Sequence, residues 1–304
     1  MHARCCCTAF LGLCLLLLLP APALRAQLTG NFLLPVSSGE EVVVHHSGFS
    51  LGYREIHEQA GWVAYYICRS RLNGGVERRN NFRPDPSVRS GTAVVADYSD
   101  TGYDRGHLAP AAGMAWSAGS MSESFYFSNM SPQLPGFNRG VWKRLEEQVR
   151  DWAGVYDTLW VVTGPVLTNG LPTIGINRVS VPNYYYKVLI DASAERRQGI
   201  GFVLSNRSSQ LPLTEFVVSI DSVERLTGID FFHALPDSME RSLERAVCVT
   251  CWDWTTGRIT GVEPGGNGDE VAGTAAVQCR GTTKTGNRCR NNTRSASGFC
   301  HLHD

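Results

Sequence analysis

The sequence predicts an α+β layered fold. Three observations carry that prediction. Segments rich in aromatic and β-branched residues, Trp62–Cys68 foremost, read as strands. Trp142, Leu145, Val149 and Trp152 recur at helical spacing and mark the buried stripe of a helix over residues 138–153. Strands and helices also mix without the strict alternation that a doubly wound parallel sheet requires.

The elements follow in order. Residues 27–45 read as a short polar lead-in. Strands are expected at Phe49–Arg54 and Trp62–Cys68, then a turn at Asn73-Gly74-Gly75. Residues 80–90 are polar, contain proline and read as loop. Val94–Asp97 and Phe125–Asn129 read as short apolar strands. Asn138 stands where a helix cap would stand. Further strands are expected at Asp157–Thr163, Tyr184–Ile190 and Gly199–Leu204, and helices at Ser219–Leu226 and Asp237–Ala246. Residues 257–276 turn to Gly, Thr, Pro and acids, the composition of a linker. The expected organisation is a leader (1–26), one large domain (27–256), the linker (257–276) and a small C-terminal module (277–304).

The chain has 304 residues, 43% of them apolar, enough to bury a core. Its formal net charge is zero, but unevenly spread. Residues 1–26 carry two Arg and no acid, and residues 274–304 carry five Lys or Arg against one Asp. The remainder therefore sits near minus six. That balance excludes a coat protein driven by charge alone. It leaves room for a local basic stripe that binds nucleic acid with a metal.

The N-terminus reads as a secretory signal. Arg4 starts it, Leu11–Leu19 form an apolar run, and Pro20–Ala26 give a small-residue exit with cleavage after Ala23 or Ala26. The run is short for a membrane span. The expectation is a mature protein free of the membrane, secreted or periplasmic. Four of the ten cysteines fall in this leader. Of the rest, Cys68, Cys248 and Cys251 are an odd number, so one thiol is left over. A bridge from Cys68 to either partner is slightly favoured in an oxidising compartment.

The chemistry-bearing stretch is Asp104-Arg105-Gly106-His107, then Asn129-Met130-Ser131-Pro132-Gln133, then Asn138 to Glu146. Phosphodiester cleavage needs a base for water, cationic groups for the transition state and help for the leaving oxygen. His107 titrates near neutrality. Arg105 offers a permanent charge and a fork that suits phosphate. Asn138 is a hard oxygen ligand compatible with a largely hydrated Mg²⁺. Glu146 lies about two helical turns on and can face the same space. Taken singly, each has a plainer role: a turn histidine, a cap, a solvated helix acid, an Asp104 paired with an arginine. The ordered set is what points to chemistry.

Asp-Arg-Gly-His, Asn-x-x-Pro-Gln and Asn-x-x-x-Trp-x-x-Leu-Glu in this order resemble the DNA/RNA non-specific endonucleases, the ββα-metal nucleases. The similarity runs over roughly residues 45–255. It includes Thr163-Gly164-Pro165, Val181-Pro182-x-x-Tyr185-x-Lys187-Val188 and Thr227-Gly228. The resemblance implies a central antiparallel sheet flanked by helices. It implies a hydrolase that cuts DNA and RNA with little sequence preference, because the site grips the shared backbone, leaving 5′-phosphate ends. It matches His107 to the general base, Asn138 to the protein ligand of Mg²⁺ or Mn²⁺, and Glu146 to the carboxylate that holds a water of that cation. Arg105 matches a group that stabilises phosphate charge, and Asn129 one that orients the site. An upstream arginine is expected on phosphate, and Arg79 is named for it over Arg78. A non-catalytic nucleic-acid-binding protein with the same fold is the alternative, disfavoured by the intact His107, Asn138 and Glu146.

The tail reads Cys279-x9-Cys289-x10-Cys300-x2-His303. Three thiols and an imidazole match a structural Zn²⁺ site. Phe299 and Leu302 are too little apolar mass to fold the segment without a staple. Its Lys284, Arg288, Arg290 and Arg294 suit phosphate contacts. His301 could replace His303, and a disordered tail or a disulfide knot with Cys248 or Cys251 would use the same cysteines.

Overall fold

The computed structural model describes residues 34–37, 41–193 and 195–255, with short pieces of the tail at 277–278, 280–282, 288 and 292–293. The chain divides into two compact units, Met1–Ile259 and Thr260–Asp304. The first holds strands β1 (Val36–Ser37), β2 (Val42–His45), β3 (Ser50–Arg54), β4 (Gln59–Cys68), β5 (Asp104–His107), β6 (Met130–Gln133), β7 (Thr158–Pro165), β8 (Thr173–Ile174), β9 (Val179–Ser180), β10 (Tyr184–Asp191), β11 (Gln198–Ser205), β12 (Val217–Val218) and β13 (Ile229–Asp230). Its α-helices are α1 (Arg69–Leu72), α2 (Val95–Tyr98), α3 (Ala118–Glu123), α4 (Lys143–Tyr156), α5 (Ile220–Thr227) and α6 (Asp237–Arg245).

The central sheet has seven strands in the order β12-β11-β10-β7-β4-β3-β2, every pair antiparallel. Its middle strands are buried on both faces, which explains their near-continuous apolar runs. Side chains alternate across the strand. Val63, Tyr65 and Ile67 of β4 join Tyr185 and Leu189 of β10 in one core, with Leu145, Val149 and Trp152 of α4. Trp62 and Ala64 join Tyr186, Val188 and Ile190 in a second core, with Ile220 and Val223 of α5 and Leu243 of α6. Helix α4 thus covers one face and α5 and α6 the other.

Helix α4 buries Leu145, Val149, Trp152, Ala153 and Tyr156. Fully burying one large apolar side chain contributes about 1.5–3 kcal/mol, so this stripe fixes the helix on the sheet. Trp152 packs against Trp252 at 4.5 Å and Trp254 at 5.0 Å, which pins the end of the domain to the helix. On the opposite face, Ser219 caps α5 through its hydroxyl and Gly228 ends it at φ 70°. A Cβ on Gly199 would lie 2.8 Å from the Leu243 carbonyl oxygen. That glycine lets α6 settle directly on the β11 backbone.

The layered α+β architecture agrees with the sequence. Four local readings need correction. Val94–Asp97 is not a strand: Val95–Tyr98 is helical, because Asp97 accepts the Val94 N–H at 2.8 Å and closes the turn. Phe125–Asn129 gives way to a 3₁₀ turn at Phe127–Asn129, and the strand begins only at Met130. Val42–His45, read as lead-in, is the edge strand of the sheet, with Val42 and Val43 exposed. Asn138 caps nothing: a wide helical turn over Phe137–Trp142 precedes α4, and Asn138 lies inside it.

Cys248 and Cys251 are bridged and Cys68 is a free thiol. The favoured Cys68 pairing fails for a geometric reason. One 3₁₀ turn brings Cys248 and Cys251 to a Cα separation of 5.3 Å, within disulfide reach. Cys68 ends β4, its Sγ 3.3 Å from Ser70 Oγ.

In the second unit, Val277–Gln278 pairs antiparallel with Asn292–Thr293. Cys279, Cys289, Cys300 and His303, the expected zinc ligands, lie outside the described residues, as does the leader.

Candidate active site

The site is built on a two-stranded ladder. β5 pairs antiparallel with β6, setting Asp104 opposite Gln133, Gly106 opposite Ser131 and His107 opposite Met130. Gly106 lets the Gln133 side chain lie against the strand: a Cβ there would lie 2.2 Å from Gln133 Cδ, so any larger residue would have to displace that side chain. The ladder is tied to the main sheet by Ser131, whose hydroxyl donates to Gln59 Oε1 at 2.5 Å and meets the Tyr185 hydroxyl at 2.7 Å.

Asn129 secures the exit from β5. Its Oδ1 accepts the Ala109 N–H at 2.8 Å, and its Nδ2 donates to the carbonyls of Ala109 and Ser124 at 2.9 and 2.8 Å. The side chain is fully buried and its donors and acceptor are engaged in holding backbone. Asn129 therefore positions the strand that carries His107.

The His107 ring is half-buried and held edge-on by Phe125 at 4.9 Å and Phe82 at 5.9 Å. The same two rings carry guanidinium groups. Arg78 lies 4.9 Å over Phe125, and Arg105 lies 4.1 Å over Phe82. His107 Nε2 is buried and has no hydrogen-bond partner. Burial, with the charges of Arg78 and Arg105, pushes the imidazole down to about 3, so it stays neutral at physiological pH.

A cavity of about 460 Å³ opens beside this cage, lined by Arg78, Asn80, Phe82, Tyr98, Tyr103, Asp104, Arg105, Asn138 and Arg139, among others. Asn138 Nδ2 donates to Asp104 Oδ2 at 2.9 Å, and Arg139 grips both Asp104 oxygens at 2.8 and 2.6 Å. Burial alone would raise the Asp104 carboxyl, but the Arg139 and Asn138 bonds hold it below its ordinary value. A carboxylate only accepts, so it fixes which end of the Asn138 amide faces it. The amide oxygen is left to point away from Asp104. A single neutral oxygen of this kind fits a hard cation that keeps most of its water.

The structure brings Arg105 and Asn138 to one cavity and sets His107 against one of its walls, Phe82. It does not bring Arg79 there. Arg78 lines the cavity instead, steered by Asn80, whose Oδ1 accepts from Arg78 Nε at 2.7 Å. Glu146 is not among the lining residues either. It sits in the first turn of α4, and burial raises its carboxyl against the opposing charges of Lys187 and Arg150.

Sequence reasoning gave Lys187 no role. It is fully buried in β10, donates to Thr163 Oγ1 at 3.1 Å and lies 4.6 Å over the Trp142 ring. Burial lowers its pKa and Glu146 opposes that shift. A lysine inside the apolar run Tyr184–Ile190 was the available signal.

With this geometry in view, the comparisons decide the family. The family described as DNA/RNA non-specific endonuclease matches residues 31–238. This chain belongs to that family. The mitochondrial nuclease EXOG of Danio rerio is 36% identical over 226 residues, covering 69% of this chain and 65% of its own length. Human mitochondrial endonuclease G is 37% identical, covering 56% of this chain and 62% of its own. The chain thus matches a little under two thirds of those relatives' length. Nuclease C1 of Cunninghamella echinulata is 33% identical, covering 63% and 83%. A crystal structure of an EndoG/EndoGI complex contains a chain with a TM-score of 0.61 and 32% identity, covering 66% of this chain and 89% of that one. The antiparallel sheet flanked by helices is therefore the fold of this endonuclease family.

The same relatives overturn one expectation. The EXOG and endonuclease G relatives are mitochondrial proteins by name, and the secreted or periplasmic reading of the N-terminus does not stand.

Proposed function

We propose that the chain is a metal-dependent nuclease that hydrolyses phosphodiester bonds of DNA and RNA without strong sequence preference. The observation that carries this is one cavity in which Asn138, its amide fixed by Asp104, faces two guanidinium groups, with the neutral His107 caged between their aromatic supports. Membership of the endonuclease family and the nuclease names of the relatives support it.

Each group has a part. Arg78 and Arg105 bind the phosphate and stabilise the negative charge that builds at phosphorus. The neutral His107 imidazole takes the proton of the attacking water, and the nucleophile adds in line with the leaving 3′ oxygen. Asn138 is the ligand for a hard divalent cation, Mg²⁺ or Mn²⁺, which supplies Lewis-acid neutralisation of the phosphate when bound. Glu146, eight residues on from Asn138 in the first turn of α4, orients a water of that cation. These residues reach the backbone and leave the base edges unread, which is why sequence preference is weak.

Plasmid degradation tests this: Mg²⁺ supports it, EDTA stops it, and His107→Ala abolishes it while retaining DNA affinity. Undiminished cleavage by that variant would remove the assignment, and DNA binding without cleavage by the native chain would leave a binding protein. The relatives' names support a mitochondrial location, which a fluorescent fusion of the full chain checks. For the tail, the proposed ligands Cys279, Cys289, Cys300 and His303 predict about one equivalent of zinc in the purified chain, lost in Cys289→Ser.

A further inference from the structure

We propose that Asp221, Glu224 and Glu244 form a structural Ca²⁺ site between α5 and α6, on the face of the sheet opposite the candidate active site. One oxygen from each carboxylate lies within 4.8 Å of the others. Ca²⁺ holds its oxygens at about 2.3–2.6 Å, so ligands across the ion stand about 4.6–5.2 Å apart. Asp221 and Glu224 share one helical face at the i, i+3 spacing, and Glu244 comes from the last turn of α6.

Like charges gathered on a surface are not in themselves a site. The separate observation is Glu244. The residue is only 6% exposed, and its Oε1 is buried with no hydrogen-bond partner. An unpaired carboxylate oxygen away from water is costly and calls for a cation or a proton. Glu224 differs, since its Oε1 accepts the Phe231 N–H at 2.9 Å, which leaves its second oxygen for a ligand.

The surroundings sharpen the need. Glu240 and Asp230 add further negative charge, while Arg241 is directed to Asp237 and Arg225 to the Ser222 hydroxyl. Oxygen donors with no thiolate or imidazole select a hard cation. Three protein carboxylates favour Ca²⁺ over Mg²⁺, which is usually held by one or two. Because α5 and α6 pack in the core on the far side of the sheet from α4, the site is structural. It clamps two short helices whose ends converge on β11.

The test is thermal unfolding and Ca²⁺ uptake of the full chain carrying Asn138→Ala, which removes the cation expected in the cavity. At about 10 mM CaCl₂, roughly tenfold above the dissociation constant of a weak site, the midpoint is expected to rise by roughly 3–6 °C. Dialysis against radioactive calcium is expected to show one bound ion per chain. Asp221→Asn, at a partly exposed position, and Glu244→Gln are each expected to abolish both signals. Nuclease activity of either single variant, made in the native background, is expected to stay unchanged. No bound calcium in the Asn138→Ala chain, or an equal rise with Asp221→Asn, would overturn the site. A Glu244→Gln chain that is stabilised without calcium, while the Asn138→Ala chain takes up none, would show that a proton satisfies Glu244 instead.

Discussion

Asn138 donates its amide N–H to Asp104 Oδ2 at 2.9 Å, across 34 residues of sequence. The bond joins the Asp-Arg-Gly-His strand to the helical turn that carries the proposed cation ligand. Asp104 is in turn held by Arg139, so the amide is aimed by a charge that is itself fixed. Replacing Asp104 with Asn removes that charge and lets the Asn138 amide turn over. Activity is expected to fall about 10–100-fold, the usual effect of losing a group that orients a ligand. More Mg²⁺ should be needed for half-maximal rate, and the thermal midpoint should move little. A Mg²⁺ dependence identical to the native chain's would refute the aiming role.

Arg78 and Arg79 are neighbours with different fates. Both are exposed, but Arg78 lines the cavity over Phe125 and Arg79 is absent from its walls. Arg78→Ala is expected to lower kcat/KM on plasmid DNA by about 100-fold, the scale of one lost transition-state donor. Arg79→Ala should stay within about threefold, consistent with a surface charge. Steady-state kinetics of the two variants side by side decide the matter, and the reverse ranking would return the phosphate role to Arg79.

Acid stability depends on Asp85. This carboxylate is buried and accepts from His46 Nε2 at 2.9 Å, from Ser128 Oγ at 2.5 Å and from the Ser87 N–H at 2.9 Å. Burial opposes its ionisation, yet the bonds from His46, Ser128 and Ser87 outweigh burial and hold the carboxyl below its ordinary value. A depressed carboxylate contributes stability above its unfolded value of about 3.9, and that stability is lost as pH falls through the lower folded value. Asp85→Asn should therefore cost about 2 kcal/mol at pH 7, the scale of a hydrogen bond to a charged group. The deficit should shrink as pH falls below about 4. Urea unfolding followed by tryptophan fluorescence measures both, and a deficit that is constant down to pH 3 would contradict the ionic account.

The parts legible in the sequence were those with strong local signals. The aromatic and β-branched run of β4 and the helical stripe of α4 describe elements whose burial comes directly from their period. The ordered motifs pointed to Arg105, His107 and Asn138, of which the structure places Arg105 and Asn138 on one cavity and His107 against Phe82. What was not legible depends on partners distant in sequence. Phe125 reads as a strand residue but serves as a wall between His107 and Arg78. Val94–Asp97 has a strand-like composition, yet Asp97 folds back on Val94 and is held by Asn177 from 80 residues away. The choice between Arg78 and Arg79 turned on which side chain reaches the cavity, which a loop sequence does not encode. The leader misled for a compositional reason: an arginine-bearing, acid-free segment serves secretion and organelle import alike.

Lys187 offers the most direct probe of Glu146. The ammonium is buried with Thr163 and Trp142, and it is the largest charge opposing the burial that raises Glu146. Lys187→Met keeps the volume and removes the charge. Burial then acts on Glu146 with less opposition, and the carboxyl is protonated over a wider range of pH. If the rate needs the carboxylate form, activity must fall at neutral pH and recover as pH rises. The acidic limb of the kcat/KM profile is expected to move up by about one pH unit, leaving roughly fivefold less activity at pH 7. Glu146→Gln should abolish that limb and respond no further to Lys187→Met in the double variant. A loss of rate that is uniform across pH would show that Lys187 supports the site by packing and that its charge is without effect on Glu146.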